Sequence, residues 1–147
     1  MANLSNKIFI DAKVFIAAAL SPTGGSFRLI NEAVSYGFSL FASQYVFEEV
    51  FENIKQKFPE KILELKHLLS LTSVELLKSP TQKEVENAFL LVHPKDAPII
   101  ATAIKNKMDF LITLDKEHFL KNPSKKVPTF LKILTPGDFL QKYFHYF

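Results

Sequence analysis

Five short apolar runs decide what this chain can fold into. Residues 7–12, 38–42, 72–77, 110–114 and 129–134 are rich in β-branched and aromatic side chains, and most are apolar without alternation. Uninterrupted apolarity suits strands covered on both faces, and the spacers between the runs are long enough for helical crossovers. The pattern predicts an α/β fold with a mainly parallel five-stranded sheet. Apolar residues at helical period predict helices over 26–36, 44–57, 59–69, 81–90, 97–107 and 136–144. Residues 21–26, Ser-Pro-Thr-Gly-Gly-Ser, read as a loop near the end of the first strand, with Ser26 as cap of the next helix. Thr81 and Glu84 read as a capping box.

The 147 residues contain no repeat, linker or low-complexity tract, which predicts one domain over 1–147. A chain of this size buries about 68–70% of its unfolded surface, so a metal site would serve function and not folding. The absence of cysteine excludes disulfides, thiolate metal sites and cysteine nucleophiles, and fits a reducing cytoplasm. No run reaches the roughly 18 apolar residues of a membrane span, and Asp11 interrupts any leader-like start, so no membrane association is expected. The net charge of +3 permits a nucleic-acid partner without requiring one. There is no phosphate-binding GxxxxGK, no GxGxxG and no GxSxG.

Chemistry must then come from oxygen and nitrogen. Asp11 follows Lys7-Ile8-Phe9-Ile10, and Asp115 follows Phe110-Leu111-Ile112-Thr113-Leu114, so two strands end in acid at the sheet edge where parallel sheets bind ligands. Thr113 would point its hydroxyl to the same side as Asp115. A cap or strand terminator accounts for either aspartate alone. Asp96, ahead of Ala97-Pro98-Ile99-Ile100, also reads as an N-cap, and Glu48 and Glu49 as the margin of an apolar helical stripe formed by Val46, Phe47, Val50, Phe51 and Ile54. His67, His93, His118 and His145 show no ligand spacing. Lys55, Lys57, Lys121, Lys125 and Lys126 either track an RNA backbone or form a solvated face. The aromatic ending 139–147 either docks on the core or meets a partner.

Taken in order, Ile8-Phe9-Ile10-Asp11 followed by an apolar helix, Ser43 with Glu49 six residues on, Lys95-Asp96-Ala97-Pro98-Ile99-Ile100-Ala101-Thr102-Ala103, and Leu111-Ile112-Thr113-Leu114-Asp115 resemble the four acidic motifs of the PIN domain family. The resemblance spans nearly the whole chain. The loop 21–25 and the ending Ile133-Leu134-Thr135-Pro136-Gly137-Asp138-Phe139-Leu140 are similar to the VapC-like branch, the toxins of toxin–antitoxin pairs. It implies a three-layer α/β/α sandwich and a metal-dependent endoribonuclease. Asp11, Asp96 and Asp115 would ligate magnesium or manganese, Glu49 would bind metal or orient water, and Thr113 would support the site. RNA as substrate, an antitoxin protein as partner, a homodimer and a cytoplasmic location follow from the same resemblance.

Physical chemistry points the same way. Two carboxylates 4 Å apart repel by about 4 kcal/mol at an effective dielectric near 20, so several at one edge must take up protons or a cation. Oxygen-only ligands favour magnesium or manganese. The chain departs from the family at Lys13, where asparagine is usual. If the backbone stays extended there, the ammonium reaches the carboxylates and replaces the metal, leaving a weak or inactive module that binds RNA or a protein partner. Otherwise Lys13 swings outward to a phosphate or is a solvated lysine at the start of a loop. A contrasting reading is a receiver that accepts phosphate on a strand-end aspartate, although the doublet of acids expected near its first strand is missing.

Overall fold

The computed structural model of the chain describes residues 6–120 and 127–144. In chain order the elements are β1 (Lys7–Ile10), α1 (Ala12–Leu20), α2 (Gly25–Glu32) running into a 3-10 turn (Ala33–Tyr36), β2 (Ser39–Ala42) and α3 (Gln44–Lys57). A second 3-10 turn (Pro59–Lys61) then leads into α4 (Ile62–Leu71) and β3 (Val74–Leu76). They continue with α5 (Gln82–Ala88), α6 (Ala97–Lys105), β4 (Phe110–Ile112), α7 (Lys116–Leu120), β5 (Lys132–Leu134) and α8 (Pro136–Tyr143). The strand order is β3-β2-β1-β4-β5 and every pairing is parallel.

The apolar runs explain that order. Ile8, Phe9 and Ile10 of β1 are wholly buried and Phe110, Leu111 and Ile112 of β4 nearly so, as central strands covered on both faces must be. The edge strands β3 and β5 expose part of their residues. From β1 the chain winds outward through β2 to β3, then returns past β1 to β4 and β5. Right-handed crossovers place the helices of the two windings on opposite faces, giving a three-layer α/β/α sandwich. On one face α1 packs against α2, α3 and α4, and α8 against α2; α5 and α6 pack together. The order also differs from the 2-1-3-4-5 sheet of flavodoxin-like receivers, which removes the phosphoacceptor reading.

The structure corrects several boundaries. The run 7–12 is strand only to Ile10, because Asp11 leaves the sheet to cap α1 and Ala12 is already helical. Periodicity could not announce α1, since Ala-Lys-Val-Phe-Ile-Ala-Ala-Ala-Leu is apolar on nearly every side and has no polar face to mark the turn. Ser26 caps nothing: Gly24 occupies the N-cap of α2 and Ser26 lies buried inside the helix. The capping box of α5 forms, with Thr81 N donating to Glu84 Oε1 at 2.8 Å and Glu84 N to Thr81 Oγ1 at 3.1 Å.

Residues 139–144 dock on the core. Phe110 of β4 meets Phe139 at 5.2 Å and Tyr143 at 5.1 Å between ring centroids, and Phe38 meets Phe139 at 5.0 Å, all edge-on. Phe144 stacks on Tyr36 at 4.0 Å. His145, Tyr146 and Phe147 lie outside the described residues. Because Phe110 is the ring that joins sheet to α8, Phe110→Ala should cost about 3–5 kcal/mol of unfolding free energy in urea titration. A loss below about 1 kcal/mol would mean that the cluster is not part of the folded core.

Candidate functional site

The sheet reverses its winding between β1 and β4, and the crevice at the carboxyl ends of these two strands is where a doubly wound sheet binds ligands. Asp11 sits at that point. Its backbone N–H donates to Ile112 O at 3.0 Å, which keeps it tied to β4 as it leaves β1. Its side chain adopts the N-cap role, with Oδ1 accepting the Ala12 N–H at 2.8 Å. Oδ2 accepts the Thr113 hydroxyl at 2.9 Å, and the same Thr113 oxygen accepts the Asp115 N–H at 3.0 Å. One fully buried threonine therefore fixes Asp11 and the backbone of Asp115 together. Capping is real at Asp11 but engages only one of its two oxygens.

Glu49 arrives on α3. Ser43 starts that helix by accepting the Val46 N–H on its hydroxyl at 3.1 Å, so its oxygen serves the helix end. Val46, Val50 and Ile54 then bury one stripe of α3, while Tyr45, Glu48, Glu49 and Glu52, at i, i+3, i+4 and i+7, line a cavity. Asp96 occupies the N-cap position of α6 with helical backbone angles and no side-chain capping bond, so the capping account does not explain it. Asp11, Glu49, Asp96 and Asp115, drawn from four separate stretches of chain, all line this one cavity of about 910 Å³.

Lys13 lies on the first turn of α1, not on an extended strand. Its Nζ contacts Asp115 Oδ2 at 2.9 Å, with both side chains roughly half exposed. The expected extended backbone is thus corrected to helix, while the ammonium still reaches one of the carboxylates, that of Asp115 after β4. Lys13 is solvent-exposed and paired at once, on a helix and not at the start of a loop.

The electrostatics follow from burial. Desolvation pushes the Asp11 carboxyl above its ordinary range, the hydrogen bonds from Thr113 and Ala12 pull it back, and the charges of Asp115 and Asp96 push it up further. Glu49 is raised by desolvation and then by Asp11, against the pull of Lys13 and Lys95. The hydrogen bond to Asp115 raises Lys13 and outweighs its desolvation.

The donor set is all oxygen, which fits a hard divalent cation, with Asp11, Glu49, Asp96 and Asp115 as the residues that would hold it. Among the described residues, no three acids or histidines stand close enough to surround one ion. Thr113 and Lys13 hold two of the four acids where they are. Sequence reading missed Tyr45, Glu48, Glu52 and Lys95 as cavity residues. The i, i+3, i+7 spacing on α3 was the signal that marks the first three, together with Glu49; Lys95, just before α6, had none. Lys55 and Lys57 are exposed at the end of α3, and Lys121, Lys125 and Lys126 lie outside the described residues.

Among the described residues no helix is long and apolar enough to cross a membrane. Among curated proteins none matches the chain. In solved structures the fold is similar to PAE2754 from Pyrobaculum aerophilum, with 17% identity, a TM-score of 0.63, and coverage of 95% of this chain and 90% of that one. It is also similar to VapBC2 from Rickettsia felis bound to a DNA fragment from their promoter, with 15% identity, a TM-score of 0.60, and coverage of 86% and 98%. The protein-family model described as PIN domain matches residues 7–117, from the first residue of β1 to the start of α7. The chain belongs to the PIN domain family.

Proposed function

We propose that the chain is a metal-dependent endoribonuclease, the toxin of a toxin–antitoxin pair, which hydrolyses RNA phosphodiesters in the cavity at the ends of β1 and β4. The observation that carries this reading is the convergence of Asp11, Glu49, Asp96 and Asp115 on one cavity. A soluble fold has no structural reason to bring four acids together at its ligand-binding edge, because each raises the cost of ionising the others. Magnesium or manganese matches the donors. When bound, such an ion supplies an activated water and shields the charge that develops on the phosphoryl oxygens.

The chain's own groups have separable tasks. Thr113 and the Ala12 amide orient the Asp11 carboxylate. Glu49, raised by desolvation, is suited to accept a proton from the attacking water. Lys95 on the opposite side of the charge balance is a point charge for a phosphate. The likeness to VapBC2 supports an antitoxin partner, and dimerisation and a cytoplasmic location belong to the same reading.

A second reading has its own observation, the 2.9 Å contact of Lys13 with Asp115. In that reading the ammonium neutralises the acid in place of an ion, and the chain is a catalytically weak PIN module that binds RNA or a protein.

Cleavage of single-stranded RNA in manganese separates the two. A nuclease should cut, lose at least about 100-fold in Asp11→Asn, and lose about 10- to 100-fold in Thr113→Val. A plugged module should be silent until Lys13→Asn opens it. Cleavage indifferent to Asp11→Asn and to chelator contradicts both.

Stability in chelator gives an independent check. A carboxyl whose pKa is raised by folding binds more protons in the native state than in the unfolded one, so it destabilises the fold as pH rises through the raised value. Asp11 and Glu49 are both of this kind. Asp11→Asn should therefore gain in melting temperature relative to the native chain as pH rises above the ordinary carboxylate range, and level off once pH passes the raised value of Asp11. A difference that is flat with pH would show that Asp11 carries no such strain.

A further inference from the structure

Among the described residues, six carboxylates line the cavity, those of Asp11, Glu48, Glu49, Glu52, Asp96 and Asp115, against two ammonium groups, Lys13 and Lys95. One of the two is already engaged with Asp115. With the walls this acidic, charge can hold a phosphate only through Lys95 and the cation the acids would share, and neither grips a base. A grip on the base itself must come from a neutral group.

Tyr45 is the candidate. Among the described residues it is the one large exposed hydrophobic side chain that also lines the cavity; the others lie elsewhere on the surface. Other rings near the sheet pack against one another, in the Phe38, Phe110, Phe139, Tyr143 cluster and the Tyr36–Phe144 stack, or lie buried in it, as Phe9 does. Tyr45 stacks on no other ring among the described residues and leaves 46% of its surface to solvent. It stands on the first turn of α3, one helical turn before Glu49 and on the same face, and Glu49, Asp11 and Asp96 all act on its hydroxyl. The first turn of α3 is fixed by the Ser43 cap, so the ring is presented on a rigid element.

We propose that Tyr45 is a stacking platform for one unpaired nucleobase, placing the neighbouring phosphate at the mouth of the acidic cavity. The proposal rests on the nuclease reading of this cavity and adds to it a positioning residue. An aromatic face accepts any base, because every base offers a π-surface, but only a base that is free of its own stack. A cavity of about 910 Å³ has room for a nucleotide. Stacking needs no cation and so escapes the repulsion of the walls.

The test is binding, not turnover. A single-stranded RNA oligonucleotide is titrated by fluorescence anisotropy in chelator, where the metal-dependent hydrolysis proposed above cannot run. Tyr45→Ala and Tyr45→Leu should weaken the dissociation constant by about 5- to 150-fold, while Tyr45→Phe stays within about twofold of the native chain. Binding of a blunt duplex should not change in any variant. With 2-aminopurine in the strand, its fluorescence should be quenched by the native chain and by Tyr45→Phe but not by Tyr45→Leu. The proposal falls if Tyr45→Leu binds like the native chain, if Tyr45→Phe is as weak as Tyr45→Leu, or if the native chain does not bind the single strand. Tyr45-dependent binding without cleavage of ordinary RNA would defeat the nuclease reading and leave the platform standing. Cleavage with an unchanged dissociation constant in Tyr45→Leu would do the reverse.

Discussion

The rest of the structure is arranged around an unfavourable term, the gathering of negative charge at the point where the sheet reverses its winding. Nothing about an α/β sandwich requires it. β1 and β4 are adjacent because their apolar runs must be covered on both faces, and that adjacency brings the residues just beyond them, Asp11 and Thr113 to Asp115, within hydrogen-bonding distance across the crevice. The fold then compensates locally. Asp11 is given an amide and a hydroxyl, Asp115 an ammonium, and Glu49 the more distant fields of Lys13 and Lys95. These contacts lower the strain without removing it, since desolvation remains the largest influence on both Asp11 and Glu49.

Such a site is precise because its members ride on elements whose ends are fixed by the same residues. Asp11 terminates β1, starts α1 and presents a carboxylate, so its position is set from both sides. Ser43 does the equivalent for α3, which delivers Glu49 and Tyr45 on a stripe opposite three buried aliphatic side chains. Thr113 is buried and bonds in three directions, through its N–H to Leu134 O and through its hydroxyl to Asp11 and Asp115. Rigid placement of this sort is what allows charged groups to be held near one another instead of relaxing apart.

Sheet, strand positions and most helices were legible because continuous apolar runs and helical period are direct consequences of burial. The helix Gln44–Lys57 matches its expected bounds, since Ser43 and the apolar stripe mark both its start and its register. α1 was not legible from periodicity, as a helix packed on three others shows no polar face. The helix bears on the chemistry: the alternative in which 11–13 stay extended brings Lys13 to the carboxylates from the same side as Asp11, whereas the first turn of α1 carries it to Asp115. The acids themselves could be picked out singly, but each had an adequate local explanation as a cap or margin. Only the structure separates Asp96, which makes no capping bond, from Asp11, which does. Tyr45 was invisible for a different reason. An exposed aromatic at the start of a helix has no meaning until the cavity beside it is known.

The central claim is that these acids share a divalent cation, and its most direct test is anomalous diffraction from crystals of the protein soaked in manganese. The account predicts an anomalous peak inside the cavity, in contact with Asp11 and at least one of Glu49, Asp96 and Asp115, with Lys13 displaced from Asp115. A cavity without a peak at saturating manganese, with Lys13 still on Asp115, would contradict it.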